Sequence, residues 1–370
     1  MTPRERFVNT LKFKAVDRIP NMEIGVWGQT NERWMAEGAP PQPGMFIKGN
    51  SYFGLDGVDD ACLNTVMPLP PFSDRVIEET DETVLFTDGL GRTRMALKTG
   101  TVGGTRMSMD HYIKHYVTDR KSWREMRQRY KGDPAARYPQ DWDKVIARLK
   151  GVDTPRCLLS AYGDFGFYSM LRNWFGTEGL SYMFYDDPVL IHECLEFLCD
   201  HIIRLLERPF REMTFDFMWI HEDLAGKGGP LIGPKLFREF ILPHYKRYLH
   251  FIKAHGVEVV LVDTDGDFEV LIPEFLEAGV DGFNPMEVAS GMDPVGMRKK
   301  YGNSFCMVGG IDKREIAKGK KEIDQEVAKI APLVHAGGYI PWIDHAIPPD
   351  ISLTNFQYYL EQKRKVIFGE

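Results

Sequence analysis

The sequence predicts an α/β fold, a (β/α)₈ TIM barrel with an insertion in its N-terminal half, and three observations carry that reading. From residue 155 onward, short apolar runs alternate with helical patterns; such units in series make parallel strands with crossover helices. The chain has 370 residues, and eight units closing on themselves is the economical arrangement near about 300 residues. No G-x-G-x-x-G follows an early strand, which counts against an open doubly wound sheet.

Residues 3–14 place Phe7, Leu11 and Phe13 on or near one helical face and read as a short amphipathic helix. DRIPNMEIGVWG (17–28) is a strand signal bounded by Pro20 and glycines. Residues 29–150 break the rhythm with GAPPQPG and PLPPF. Within them TVLFTDGLGRTRMALKT alternates about an Asp88-Gly89 turn, an antiparallel signature. This region is expected to be an elaboration beside or over the barrel mouth, within a single domain spanning 1–370. The later strand signals are RCLLSAYG (156–163), FDFMWIHED (215–223), VEVVLVDTDGD (257–267), VDGFNPME (280–287), SFCMVGGID (304–312) and GYIPWIDH (338–345). A helical pattern follows each of them.

Composition narrows the function. Hydrophobic residues make up 43% and charged residues 27% of the chain, which is ordinary for a globular protein. The net charge is −7, with no long basic block, so nucleic acid is not expected as a partner. Arg120, Lys121, Arg124, Arg127, Arg129 and Lys131 interleave with Trp123, Met126 and Tyr130 at helical spacing, as on a solvated helix face. The start has no apolar run of the signal-peptide kind, and no run is long enough to span a membrane. The five cysteines include no C-x-x-C pair, which suits a reducing cytoplasm.

The chemistry gathers at the strand ends. These carry Tyr162 and Asp164; His221, Glu222 and Asp223; Asp263, Asp265 and Asp267; Asn284 and Glu287; Asp312; and Asp344 and His345. In a parallel barrel all such ends meet at one mouth. Each alone has a plain explanation, such as a helix cap at Asp267 or Asp312. Together they bring like charges close, which calls for a cation, a proton or a polar ligand. Asp263 and Asp265 are two apart in a strand pattern and should face the same space. Either one of the two is protonated or a cation sits between them. Glu222 and Glu287 are expected as a further ligand or in acid–base work. His221 should face away from Glu222 and ranks lower. Tyr162, Phe165, Phe167 and Trp342 are the expected substrate contacts, with core packing as the competing reading.

Five stretches together resemble the uroporphyrinogen decarboxylase superfamily. They are Thr2 to Pro20 (T-x-R-E-R-F…D-R-I-P), GPLIGPKLFREFILPHYKR (229–247), AGVDGFNPMEV (278–288), GGID (309–312) and HAIPPDISLTNF (345–356). The resemblance implies a TIM barrel and one of two activities. True decarboxylases act on a tetrapyrrole without metal, through an R-Q-A-G-R-Y-type segment; here MEIGVWGQTNERW (22–34) offers only Arg33. The other branch, corrinoid-dependent methyltransferases, resembles this chain more closely. Its H-x-C-G zinc motif falls on Asp263-Thr264-Asp265-Gly266 and its late cysteine on His345, so the resemblance implies Asp263, Asp265 and His345 as the metal ligands, for Zn²⁺ or another divalent ion. The harder ligand set suits an oxygen-bearing methyl donor, such as a methoxylated aromatic, better than a thiol. No D-x-H-x-x-G is present, so the corrinoid is expected on a separate protein. The resemblance also implies a homodimer. Decarboxylation of another carboxylated substrate is the alternative, and a non-catalytic binding barrel the third reading.

Overall fold

Seven parallel strands lie side by side in chain order: β1 (Asp59–Leu63), β2 (Arg156–Ser160), β3 (Phe217–His221), β4 (Val259–Asp263), β5 (Gly282–Asn284), β6 (Cys306–Val308) and β7 (Tyr339–Ile340). Each pairs with its neighbour in parallel register. The computed structural model that shows this describes residues 1–98, 101–102, 105–106, 110–160 and 165–369. The strands are short and apolar, and helices cover their outer side, as βαβ crossovers require.

An extended segment, 21–26, completes the ring between β7 and β1. On one side the carbonyl of Asn21 accepts from the Asp56 N–H at 2.7 Å. On the other, the carbonyl of Gly25 accepts from the Ile347 N–H at 2.9 Å, and Val26 bridges Ile347 in parallel. The strand expected over 17–28 is therefore reduced to bridges. Gly25 is the reason: its φ is 149°, and a Cβ there would lie 2.2 Å from the Gly44 carbonyl oxygen. The chain bends where only glycine fits.

Two apolar cores result. The inner one fills the barrel with Met22, Phe217, Trp219, Val259, Leu261, Val308, Ile340 and Trp342. Helix α1 (Pro3–Leu11) plugs the lower end with Phe7, Val8 and Leu11, the Phe7 ring 4.7 Å from that of Phe217. Thr2 caps α1 in a reciprocal capping box with Glu5. The outer core lies between strands and helices and takes the alternate residues, including Met218, Ile220, Val260, Val262 and Phe283. The period of two thus fixes which strand-end residues reach the mouth.

The region 29–150 contributes to the barrel as well as to an insertion, since β1 lies inside it. Its DDACL sequence is too polar and short to stand out as a buried strand. Beyond β1, a four-stranded antiparallel sheet pairs Arg75–Glu79, Thr83–Thr87, Thr93–Leu97 and His111–Lys114 in that order. The expected hairpin is its centre, with Thr87 opposite Thr93. The Asp88 carboxylate closes the turn by accepting from the N–H groups of Leu90 and Arg92, each at 3.0 Å. The basic stretch forms helix Arg120–Gln128, with Trp123 and Met126 on its buried side. Among the described residues no helix is long and apolar enough to cross a membrane.

Candidate active site

The upper inner layer of the barrel begins with three residues in register. Asp263 pairs with His221 on one side and with Asn284 on the other. Paired residues of parallel strands project from the same face, so all three join the layer to which Trp219 and Leu261 belong. Trp219 donates its indole N–H to Asp263 Oδ2 at 2.9 Å, and the rings of Trp219 and Trp342 stack 5.9 Å apart. Burial pushes the Asp263 carboxyl up to about 6, against the opposing pull of His221.

Past Asp263 the chain leaves the strand. Asn284 still accepts from the Thr264 N–H at 2.9 Å, and then Gly266 turns the backbone at φ 81°. This turn delivers Asp265 to His345, with Oδ2 and Nε2 3.3 Å apart. The hydrogen bond that the imidazole donates to Asp265 is the main influence raising His345 above its ordinary value. For Asp265, burial pushes upward, but the bond and charge of His345, with His221 and Lys313, outweigh it and hold the carboxyl low. Both shifts favour the imidazolium and carboxylate forms of the pair. Trp27 lies over it, its ring stacked on that of His345 at 6.1 Å. Trp27 is 36% exposed.

Glu287 fastens the turn. Its Oε2 accepts from the Gly266 N–H and from the Ser290 hydroxyl, each at 3.0 Å. Lys313 Nζ stands 3.4 Å from both Glu287 Oε1 and Asp344 Oδ1. Asp344 is fully buried and also accepts from the Val288 N–H. Glu287 is thus a support for Asp265. Lys313, the cation among these acids, follows β6 and reads in the sequence as an ordinary first-turn helix residue.

Glu222 lies on the other side of the wall. It points into the helical layer, 0% exposed, and accepts from the Tyr245 hydroxyl at 2.5 Å and from the N–H groups of Phe167 and Ser169 at 2.8 and 3.0 Å. These are the first amides of helix α2 (Phe167–Phe175), whose amino-terminal end attracts an anion. Gly166 is required beside it, because a Cβ would sit 2.5 Å from the Glu222 carboxyl carbon. Burial raises the Glu222 carboxyl despite these donors. Phe165 and Phe167 are buried in the same outer layer, Phe167 packing edge-on against Tyr245 at 5.3 Å. Trp342 is buried in the inner wall. Tyr162 and Asp164 lie outside the described residues.

Of the three expected metal ligands, Asp265 and His345 meet, while Asp263 Oδ2 faces the Trp219 indole. Among the described residues no three His, Cys, Asp or Glu side chains are grouped to hold a metal ion. A catalytic zinc takes three protein ligands, so the donors as placed do not fit one. Two donors locked on each other fit an acid–base dyad instead.

The turn is exposed to a sharp test. A Cβ on Gly266 would lie 2.6 Å from the Ala225 carbonyl carbon and 2.7 Å from the Gly226 nitrogen, at a φ that side chains avoid. Gly266→Ala is expected to cost more than about 1 kcal/mol and to separate Asp265 from His345. Thermal unfolding checks the first effect. The imidazole titration by NMR, falling back toward its ordinary value, checks the second.

Comparison with known proteins agrees with this architecture. The family model described as uroporphyrinogen decarboxylase (URO-D) matches residues 167–366, more than half of the chain. A uroporphyrinogen decarboxylase of Chlorobaculum tepidum is 22% identical over 183 residues, 48% of this chain and 50% of that protein. One from Rhodococcus erythropolis is 28% identical over 198 residues, half of each chain. The chain spans about half the length of the curated relatives it matches. Among solved structures, a methyltransferase from Methanosarcina mazei superposes with a TM-score of 0.61 at 14% identity, covering 99% of both chains; this likeness is one of fold. Strand order, inner layer and family match converge: the chain belongs to the uroporphyrinogen decarboxylase (URO-D) family of enzymes.

Proposed function

We propose that this protein is a methyltransferase that removes the methyl group of a small methoxylated aromatic. The observation that carries the reading is the Asp265–His345 dyad at the barrel mouth. Asp265 engages Nε2, which leaves the Nδ1 N–H of the imidazolium as the donor toward a ligand. As the methyl–oxygen bond breaks, its electron pair stays on oxygen, and His345 supplies the proton that makes the phenol. Trp27, stacked on His345, offers a flat surface to the aromatic ring. Glu287 holds the turn, and Glu222 holds the start of α2; both are positioning residues in this account.

The methyl acceptor in this reading is a corrinoid on a separate protein, which supplies a cobalt nucleophile when bound. The charge of the mouth favours a neutral donor over a polycarboxylate. Asp265, Glu287 and Asp344 face one lysine, Lys313. Arg33 is tied elsewhere, to Glu37 at 2.6 Å and to the Pro349 carbonyl. Decarboxylation of a many-carboxylate substrate would need several free cations here. The likeness in fold to a methyltransferase supports the same choice.

The pH dependence is the test, and its sign follows from the shifts. His345 is raised above 6.5, so its contribution to stability and its proton are present below that value and lost as pH rises through the higher folded one. Asp265 is lowered from 3.8, so its contribution holds above that value and fails only as pH falls below it. The kcat for phenol release is expected to decline on the alkaline side with a midpoint above 6.5. In Asp265→Asn the midpoint should move down. A flat profile, or carbon dioxide as the product with no phenol, overturns the reading.

A further inference from the structure

Asn284 ends β5 on the inner face, in register with Asp263. It is 0% exposed, yet neither Oδ1 nor Nδ2 has a hydrogen-bond partner among the described residues. On the same inner wall Trp342 Nε1 is also buried and has no partner among the described residues, whereas Trp219 gives its N–H to Asp263. Native interiors rarely leave an amide wholly unsatisfied, and each such group asks for an explanation. Leucine has nearly the shape of asparagine and would remove the cost. An amide kept in this position, beside a carboxyl at the mouth of the barrel, points to a ligand atom.

We propose that Asn284 is a specificity-determining contact, and that its amide receives a neutral hydrogen-bonding oxygen carried by the methyl donor next to its methoxyl group. The proposal rests on the methyl-transfer reading above. An amide donates and accepts at once, and a hydroxyl does the same. A carboxylate only accepts, and it would lie against Asp263. An ammonium only donates, and it would leave Nδ2 unpaired. The substrate class is therefore an aromatic ether with an adjacent hydroxyl, a 2-methoxyphenol. A site built to bond such a hydroxyl rejects the analogue without it, because the buried amide is then left unpaired.

The test is calorimetric titration of the full chain with 2-methoxyphenol and with methoxybenzene, for the natural protein and for Asn284→Leu. The natural protein is expected to bind 2-methoxyphenol at least about tenfold tighter. In Asn284→Leu that preference should vanish, methoxybenzene should bind as before, and the unfolding temperature should hold or rise. If the leucine variant does not fold, Asn284→Val takes its place with the same expectation. A preference that survives the substitution overturns the contact. So does equal weakening of both ligands, or equal or absent binding by the natural protein. Binding needs no turnover, which separates the two claims. Preference without methyl transfer sinks the functional reading and spares the contact, and methyl transfer without preference does the reverse.

Discussion

Replacing His345 by glutamine is expected to lower kcat for phenol release about 10²–10⁴-fold, the range for a lost general acid. The fold should survive, because the imidazole is 29% exposed and its contacts are Asp265 and the Trp27 ring. Glutamine keeps a hydrogen bond to Asp265 but has no proton to give at neutral pH. The effect should therefore fall on kcat more than on KM. Asp265→Asn should lose less, because the imidazole remains and only its charge is less favoured. Steady-state rates with matching circular dichroism melts check both. A His345→Gln variant within twofold of the natural rate would remove His345 from the reaction.

Replacing Lys363 by methionine is expected to destabilise the protein by about 3–5 kcal/mol, the usual result of stranding one member of a buried ion pair. Lys363 Nζ and Glu23 Oε1 are in contact with both side chains 0% exposed. Glu23 also accepts from the Tyr359 hydroxyl at 2.7 Å and the Ile343 N–H at 2.9 Å, and Lys363 donates to the Met22 carbonyl at 2.9 Å. This network ties the closing segment 21–26 to the C-terminal helix, Leu353–Phe368, and to the loop that precedes His345. Urea unfolding should show the loss. The double variant Glu23→Gln/Lys363→Met should recover much of it, since it strands no charge and glutamine keeps an accepting oxygen for Tyr359 and Ile343. An equally large loss in the double variant would mean that shape, and not the stranded charge, is at fault.

The barrel was legible because strand and helix periods differ and repeat. The dyad was legible in part. Asp263 and Asp265 announce themselves by spacing, and His345 by its place after a strand signal. His221 ranks below Glu222 because the two neighbours must face opposite ways, and the four residues before His221 in β3 are all apolar and buried, so no alternation shows which parity faces inward. Trp219 settles it: its stack with Trp342 puts it inside, His221 follows at i+2, and Glu222 goes outward to Tyr245. That partner is 23 positions away, a contact that no local pattern encodes. Phe165 and Phe167 read as mouth residues because they lie in a glycine-containing loop after a strand, but Phe167 begins a helix and both side chains pack in the outer layer. The spacing pairs Asp263 with Asp265, but the sequence does not show the indole of Trp219 at the Asp263 carboxylate.

The most direct measurement is phenol release from 2-methoxyphenol by the full chain with a reduced corrinoid acceptor, before and after exhaustive chelation. The account predicts release that survives chelation and collapses in His345→Gln. No release from the natural protein, or release that disappears together with a stoichiometric metal ion, would contradict it.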